Sequence, residues 1–288
     1  MYLVTGATGN VGSKVAAQLL QAGEHVRVFA RDASQLAHWG DRLEVAIGDF
    51  GKPETFARAA AGVEAVFLMD GGPGGPTREG SGGESFRKLL DSAAQVGKPR
   101  IVFLSSILAK EPDLAIGRMH KEKEDAIRES GLKVNSLRPS GFMSNSFQWI
   151  GTIKAEGTVY NGMGTGKLAP VAPEDIAAVA VKALTREGGQ SEVIEITGGE
   201  LLSVPDQVSI LADVLGKAIR CVDISAETLV QNFLRAGFAA EVAAAVAESF
   251  TLVREGRAAM VSDSVERLTG HKPKTFDAWA LENAPLFA

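Results

Sequence analysis

Short apolar segments alternate with amphipathic segments along the first two thirds of the chain. The apolar segments predict β-strands over Tyr2–Val4, His25–Ala30, Leu43–Ile47, Val63–Met69, Ile101–Ser105, Lys133–Leu137 and Val193–Ile196. The amphipathic segments predict helices, one following Val11 and the others over Pro53–Ala61, Glu84–Gln95, Arg118–Glu129 and Pro173–Leu184. The strands Leu43–Ile47 and Val63–Met69 are apolar enough that we expect both to be buried. Because strands alternate with helices, we predict an α/β fold with a parallel sheet covered on both faces.

The pattern changes after Leu202, where apolar residues recur at helical spacing and strand signals become rare. The recurring positions are Val208, Leu211, Ala212 and Leu215, and later Phe238, Val242, Val246 and Phe250. We therefore predict a sheet domain over residues 1–145, with the sheet completed by about 170–198. Residues 146–169 and 199–288 are expected to form a smaller, mostly helical lobe. A substrate would bind between this lobe and the C-terminal edge of the sheet.

The first strand leads directly into three glycines, Gly6, Gly9 and Gly12, which an amphipathic helix follows. In such a turn the first glycine permits the tight bend, the second lets backbone approach a pyrophosphate, and the third allows close helix packing. The helix N-terminus adds free amide donors. This context predicts a dinucleotide site in a Rossmann-type doubly wound sheet, whereas an ordinary glycine turn is the alternative. The neighbouring turn residues are expected to contact the cofactor as well, namely Thr8, Asn10 and Val11.

The residues after the second strand indicate whether the cofactor is NAD or NADP. An NAD site usually carries an acidic residue there, which binds the ribose 2′-hydroxyl. Here Arg31 comes first, and a guanidinium is suited to the 2′-phosphate of NADP. Asp32 follows directly and favours NAD, and Arg31 as a solvated loop charge is a further alternative. We predict NADP as the cofactor, with NAD as the less favoured choice.

Composition narrows the class of protein without identifying it. The chain has 288 residues, of which 45% are hydrophobic, and a net charge of −5 without long runs of one sign. We therefore expect no nucleic-acid or membrane partner. The expected partner is a small apolar substrate, and the protein is expected to be a monomer or a homodimer. Cys221 is the single cysteine and the four histidines show no ligand spacing, so no metal is expected. Because the first strand begins at residue 2, we expect no signal peptide and a cytoplasmic location.

Several motifs together resemble the NmrA-like branch of the atypical short-chain dehydrogenases. They are Thr5–Gly12, Arg31, Gly48–Phe50, Leu137–Met143, Pro173–Ala177, Thr197–Glu200 and Leu268–Phe276, which span nearly the whole chain. The resemblance implies that Asp49 and Phe50 border the adenine and that Met69, Asp70 and Gly71 line the cofactor groove. It also implies that Ser140, Gly141 and Phe142 lie near the nicotinamide.

The sequence departs from these relatives in its catalytic signature. Typical short-chain dehydrogenases pair a Tyr with a Lys four residues later, which lowers the Tyr pKa for proton exchange with a carbonyl oxygen. Neither Tyr2 nor Tyr160 has such a Lys, and Met119 takes the Tyr position if Lys123 is the retained Lys. An apolar residue, Ile107, stands near the end of the fifth strand where the catalytic Ser usually falls. The usual carbonyl-reducing residues are therefore missing.

Hydride transfer needs mainly that a cofactor and an electron-poor carbon are aligned. His120 is the candidate acid because histidine titrates near neutral pH, and its position matches a functional Lys of isoflavone-reductase-like relatives. The alternative is a polar surface histidine. Lys123 is expected either to contact the ribose hydroxyls or to belong to a solvated face with Lys121, Glu122 and Glu124.

Apolar side chains near the sixth strand suggest the substrate. Phe142, Met143, Phe147 and Trp149 are expected to form an apolar wall beside the nicotinamide, although ordinary core packing is the alternative for each. Ile107, near the end of the fifth strand, is also expected to contact the substrate. The glycine-rich segment from Asp70 to Gly83 is interpreted either as a flap over the nicotinamide or as an inert connection. We predict an NADP(H)-dependent reductase of an apolar conjugated or cyclic compound, such as a quinone, enone or imine. A cofactor-binding redox sensor without turnover is the alternative, and an isomerase or epimerase ranks third.

Overall fold

The computed structural model describes residues 1–69, 82–186 and 191–288. The strands in these ranges are β1 Tyr2–Thr5, β2 Val26–Ala30, β3 Glu44–Ile47, β4 Ala65–Leu68, β5 Arg100–Leu104, β6 Val134–Pro139, β7 Thr158–Asn161, β8 Lys167–Leu168, β9 Glu192–Ile196, β10 Leu202–Ser203 and β11 Arg220–Asp223. The α-helices are α1 Gly12–Gln21, α2 Pro53–Ala60, α3 Gly82–Gln95, α4 Ala115–Glu129, α5 Ile150–Glu156, α6 Pro173–Thr185, α7 Val204–Leu215, α8 Ala226–Arg235, α9 Ala240–Arg254, α10 Ser264–Thr269 and α11 Phe276–Phe287. Three segments form 3₁₀ helices, Ser34–Arg42, Ile107–Lys110 and Met143–Trp149.

Seven of the described strands form one parallel sheet in the order β3-β2-β1-β4-β5-β6-β9. β1 pairs with β2 on one side and with β4 on the other, so the strand order reverses between β1 and β4. In open α/β sheets ligands bind at the carboxyl ends of the strands beside such a reversal. The predicted Rossmann-type doubly wound sheet is confirmed, and the glycine turn after β1 lies at this point.

Alternate residues of the central strands face two separate cores. Val4 and Phe67 pack with α1 and α6 on one face, while Leu3 and Val66 pack with α2, α3 and α4 on the other. This alternation follows from the period of two along a strand. Both faces of the sheet are therefore covered, as the sequence predicts.

One strand prediction is wrong in its burial. β3 is an edge strand, and its Val45 and Ile47 are 37% and 54% exposed. A strand at the edge of a sheet has a neighbour on one side only, so apolar composition alone does not bury it. The strand over Val63–Met69 is buried, in agreement with its apolar sequence.

The C-terminal part of the chain is mostly helical, as predicted, but it also contains short strands. β11 pairs with β7 in parallel and β10 pairs with β8 antiparallel, in two-stranded sheets apart from the main one. A third core joins α5, α7 and α11. No helix in the described parts of the chain combines the length and the apolar character that crossing a bilayer requires. The division into a sheet domain over residues 1–145, completed by about 170–198, and a lobe over residues 146–169 and 199–288 stays a prediction.

Candidate functional site

The glycine turn brings backbone segments closer than any side chain would permit. Gly6 has φ +65°, in the left-handed region that favours glycine. A Cβ on Gly12 would lie 2.2 Å from the Gly6 carbonyl oxygen, so only glycine lets α1 begin against the turn. A Cβ on Gly9 would lie 3.3 Å from the same oxygen. The turn is thus a tight backbone cradle at the start of a helix, with the Met69 side chain against Gly6. A glycine turn that leads into a helix N-terminus is the arrangement that a pyrophosphate needs.

A cavity of about 240 Å³, the glycine-turn cavity, opens beside this cradle. It brings together seven residues that the sequence assigned to the cofactor, namely Gly6, Thr8, Gly9, Arg31, Asp49, Phe50 and Met69. The structure adds Phe29, Ala30, Asp32, Gln35 and Gly48 to its lining. The rings of Phe29 and Phe50 lie 5.3 Å apart between centroids and supply an aromatic wall. An aromatic wall beside a polar cradle is suited to an adenosine group.

Arg31 and Asp32 differ in their availability to a ligand. Asp32 accepts hydrogen bonds from the Ser34 backbone N–H at 2.8 Å and from the Ser34 hydroxyl at 2.7 Å, and these bonds lower the pKa of the Asp32 carboxyl. Arg31 is exposed and, within the described ranges, its guanidinium has neither a hydrogen bond nor an ion pair. The cation is therefore available to an anionic ligand while the carboxylate is already engaged.

A second cavity, the apolar cavity, has a volume of about 600 Å³. Its apolar lining comes from the strand ends, the loops after them and α9, and includes Leu104, Leu108, Met163, Leu168, Phe250, Leu252, Val253 and Met260. Met69 lines both cavities, and among the described residues it is the one that does so. The two cavities therefore meet at the end of β4.

Five residues predicted to act near the nicotinamide or the substrate line the apolar cavity. They are Ile107, His120, Ser140, Gly141 and Phe142. His120 is 8% exposed, so the interpretation of a solvated surface histidine is wrong. The segment after β6 is held in place because the Ser140 hydroxyl donates to the Ala169 carbonyl.

Three residues of the expected substrate wall lie elsewhere. Met143, Phe147 and Trp149 pack into the core between α5, α7 and α11, outside the lining of either cavity. Phe147 contacts Trp279, with 5.2 Å between ring centroids. These side chains follow the sixth strand in sequence, but the 3₁₀ helix that contains them turns its apolar face toward the C-terminal helices. For these three side chains the alternative interpretation, ordinary core packing, is therefore correct.

The remaining predicted residues are distributed around the site. Val11 is buried in the core beneath the sheet, and Asn10 donates a hydrogen bond to the Ser144 hydroxyl at 2.5 Å, so neither side chain lines a cavity. Lys123 is 4% exposed, with Nζ 5.8 Å from the centroid of the Phe86 ring, and lies outside both linings. Its interpretation as part of a solvated face is therefore wrong. Asp70 and Gly71, with most of the glycine-rich segment, lie outside the described residues.

Sequence reasoning missed a buried ion pair behind the apolar cavity. Glu124 is 5% exposed and accepts hydrogen bonds from Arg138 Nε at 2.9 Å and Arg138 Nη2 at 2.5 Å. The Ser105 hydroxyl donates to the same carboxylate at 2.5 Å. This pairing raises the pKa of the Arg138 guanidinium. Glu124 stands in a run of charged residues that is typical of a solvated helix face, so the sequence gives no signal of its burial.

Asn145 is a second residue that sequence reasoning missed. Most polar side chains of the apolar cavity already have partners: Ser105 donates to Glu124, Ser249 to the Ala245 carbonyl, and Lys110 and Arg257 pair with Glu195 and Glu111. The Asn145 amide lines the same cavity and has no hydrogen-bond partner among the described residues. It can therefore donate to a ligand, or accept from one, without breaking a bond. The described ranges contain no cluster of three or more residues suited to hold a metal ion.

The doubly wound sheet and the glycine turn at its strand reversal are those of a dinucleotide-binding α/β protein. A family model described as NAD(P)H-binding matches residues 6–187, well over half of the chain. The chain belongs to this NAD(P)H-binding family. Its motifs resemble those of the NmrA-like branch of the atypical short-chain dehydrogenases.

Two curated relatives match the chain over its full length. The (4-alkanoyl-5-oxo-2,5-dihydrofuran-3-yl)methyl phosphate reductase of Streptomyces griseus is 36% identical over 290 residues, which cover 100% of this chain and 99% of the relative. The NAD(P)H azoreductase of Xenophilus azovorans is 31% identical, with the same coverage of both chains. Both are therefore relatives along the whole chain, including the C-terminal lobe.

Solved structures share the fold. The NADPH-dependent quinone oxidoreductase of Escherichia coli, in complex with NADPH, superposes with a TM-score of 0.85 at 21% identity and covers 98% of this chain and 99% of its own. The triphenylmethane reductase of Citrobacter, in complex with NADP(H), gives a TM-score of 0.84 at 22% identity, with 99% and 100% covered. At these sequence identities, the two comparisons show that the chains share a fold.

Proposed function

We propose that this protein is an NADPH-dependent reductase that transfers a hydride to an electron-poor carbon or nitrogen of an apolar small molecule. One observation carries the proposal: the glycine-turn cavity and the large apolar cavity meet at Met69. A dinucleotide that binds from the cradle toward Met69 would present its nicotinamide to the apolar cavity. Reactant and cofactor would then be held in contact away from bulk water.

The preference for NADP over NAD depends on Arg31. Its guanidinium lies at the glycine-turn cavity and is available, whereas Asp32, the residue that would bind a free ribose 2′-hydroxyl, is bonded to Ser34. A forked guanidinium binds a phosphate through two parallel bonds. The NADPH-bound quinone oxidoreductase and the NADP(H)-bound triphenylmethane reductase share this fold and agree with the proposal.

The bound nicotinamide would supply the hydride, and the protein would supply position and a proton. Gly141 and Phe142 would position the nicotinamide on one side while Met69 contacts it on another. Leu252, Val253 and their apolar neighbours would exclude water from the acceptor. The Asn145 amide would donate to the acceptor's oxygen or nitrogen, and His120 would deliver a proton to the acceptor as the hydride arrives.

The relatives narrow the class of acceptor. The substrate named for the Streptomyces griseus enzyme is a phosphate ester of a dihydrofuranone whose ring double bond is conjugated with carbonyl groups, and the Xenophilus azovorans enzyme is named for an azo substrate. Each substrate contains a double bond, C=C in the first and N=N in the second, whose reduction does not require a Tyr to protonate an alkoxide. We therefore favour enones and quinones over simple ketones. An acceptor of this type fits a protein that lacks the Tyr–Lys pair.

The test measures NADPH oxidation by the purified protein against a panel of quinones, butenolide-type enones, azo compounds and cyclic imines, with a simple ketone as the matched control. We expect turnover with at least one conjugated acceptor and none with the ketone. Asn145→Ala should raise the acceptor KM without changing NADPH affinity. Tight NADPH binding without turnover of any acceptor would overturn the proposal and leave the redox sensor as the better interpretation.

A further inference from the structure

Helix α4 carries His120 into the wall of the apolar cavity, and two contacts on the same face of the helix fix its position. Gly117 lies three residues before His120 and Glu124 four residues after it. Residues at these spacings lie on one face of an α-helix. The contact at Gly117 is made of backbone and the contact at Glu124 is an ion pair, so the two constrain the helix in different ways.

The first contact is a close approach of backbone. A Cβ on Gly117 would lie 2.1 Å from the Glu111 carbonyl oxygen and 2.4 Å from the Leu108 carbonyl oxygen. The 3₁₀ segment that lines the cavity therefore rests directly on α4. Any side chain at position 117 would push this segment and the helix apart.

The second contact is the Glu124–Arg138 pair. Arg138 comes from β6 and binds the carboxylate through Nε and Nη2, while Ser105 from the end of β5 donates to Glu124 Oε1. The Arg138 and Glu124 side chains are 13% and 6% exposed. One carboxylate thus ties α4 to two neighbouring strands of the sheet, beside the cavity wall that Ser105 and His120 share.

A buried ion pair is weak evidence for stability, because apolar residues of similar size often stabilise a fold equally well. Its best-attested use is to fix the register of one element against another. The planar guanidinium adds direction, because two parallel bonds fix both the angle and the distance of the carboxylate. A pair placed one turn from His120 would therefore set where the imidazole points.

We propose that Glu124 is a positioning residue, which through its bidentate pair with Arg138 holds His120 in the orientation that the reaction needs. The proposal rests on the proposed function, since it assigns His120 a role in the reaction. It concerns geometry, so it can be measured by a readout that does not require turnover.

The test compares wild type with Glu124→Gln and with the double variant Glu124→Gln/Arg138→Met. The glutamine keeps an acceptor for Ser105 in both, and the double variant leaves no buried guanidinium without its carboxylate. We expect Glu124→Gln to lower the unfolding temperature and the double variant to recover much of that loss.

We expect kcat with a conjugated acceptor to fall by about tenfold or more in both variants, because small misplacements of a reacting group cost one to two orders of magnitude in rate. The NADPH Kd should stay within about twofold of wild type, since the glycine-turn cavity keeps its lining.

The control is Glu129→Gln, which removes an exposed ion pair with Arg87 from the same helix. Its kcat should match that of wild type. If the double variant regains kcat together with its stability, the Glu124–Arg138 pair is structural only and the proposal is overturned.

Histidine-selective isotope labelling separates this proposal from the proposed function. The chain has four histidines, and the His120 signal is assigned by its loss in His120→Ala. We expect the His120 ring resonance to shift or broaden in the double variant and to superpose on wild type in Glu129→Gln. An unchanged resonance in the double variant would overturn the positioning role, even if no acceptor were turned over. A shifted resonance in a protein without turnover would show that the pair orients His120 but would reject the reductase, and with it the role of that orientation in a reaction.

Discussion

The glycine-turn cavity and the apolar cavity meet at Met69, but they are built from different parts of the chain. The first is formed by a few short segments that follow β1, β2, β3 and β4, and its cradle is backbone. The second takes side chains from segments as far apart as Met69 and Met260. Backbone geometry is the same wherever the glycine pattern occurs, whereas a wall of side chains depends on which helices come to face it. A cofactor site is therefore recognisable locally, and a substrate site is not.

The largest effect is expected for His120→Ala. This variant tests whether the apolar cavity carries out the reaction while the glycine-turn cavity binds the cofactor. His120→Ala should lower the rate of hydride transfer and protonation by roughly 10² to 10⁴, the usual contribution of a positioned acid. NADPH affinity should stay the same, and the pH dependence that a proton donor gives the rate should disappear. Single-turnover measurements across pH test this, with His25→Ala, an exposed histidine, as the control. An unchanged rate and an unchanged pH profile would remove His120 from the mechanism.

Gly9→Val tests the cradle. Even a Cβ here would lie 3.3 Å from the Gly6 carbonyl oxygen and 3.5 Å from Met69 Cε, and the branched side chain would extend into the space of the pyrophosphate. We expect NADPH and NADH binding to weaken by about 10² or more while the fold survives. Calorimetric titration measures this, with Gly151→Val as the control, because a Cβ there meets nothing within 4 Å. Wild-type affinity in Gly9→Val would place the cofactor elsewhere.

Arg31→Ala tests how the glycine-turn cavity distinguishes the two dinucleotides. Loss of a charge-assisted contact should cost about 1.5 to 3 kcal/mol in NADPH binding and leave NADH binding nearly unchanged. The control is Arg58→Ala, an exposed arginine outside both cavities. Equal losses for NADPH and NADH in a binding titration would contradict recognition of the 2′-phosphate.

The smallest expected effect concerns a single hydrogen bond in the apolar cavity. Asn145→Ala should raise the acceptor KM by about 5-fold to 10-fold, which corresponds to about 1 kcal/mol for one net hydrogen bond. NADPH affinity should not change. Gln148→Ala, an exposed amide three residues away, serves as the control in the same kinetic assay. An acceptor KM equal to that of wild type would show that the Asn145 amide does not contact the acceptor.

The pattern of apolar residues predicted the seven strands of the main sheet, because the signal for each strand is contained in a few adjacent residues. The pattern failed to predict burial where burial depends on whether another helix or strand packs against the residue. Leu43–Ile47 has the composition of a buried strand and lies at an exposed edge, and Glu124 has the surroundings of a solvated residue and lies buried against Arg138. In both places the residue types are ordinary for the predicted environment. What differs is the element that packs, or does not pack, against them.

The sequence by itself determined the glycine turn, the Arg31 that follows the second strand and the absence of a Tyr followed by a Lys four residues later, since each of these depends on residue identity at short spacing. Only the tertiary structure decided that Met143, Phe147 and Trp149 belong to a core and that Phe250, Met260 and Asn145 belong to the apolar cavity. The physical reason is that burial and contact are properties of pairs of elements. The direction in which a side chain points is fixed by its own helix or strand, but what it meets there is fixed by contacts between residues far apart in the chain.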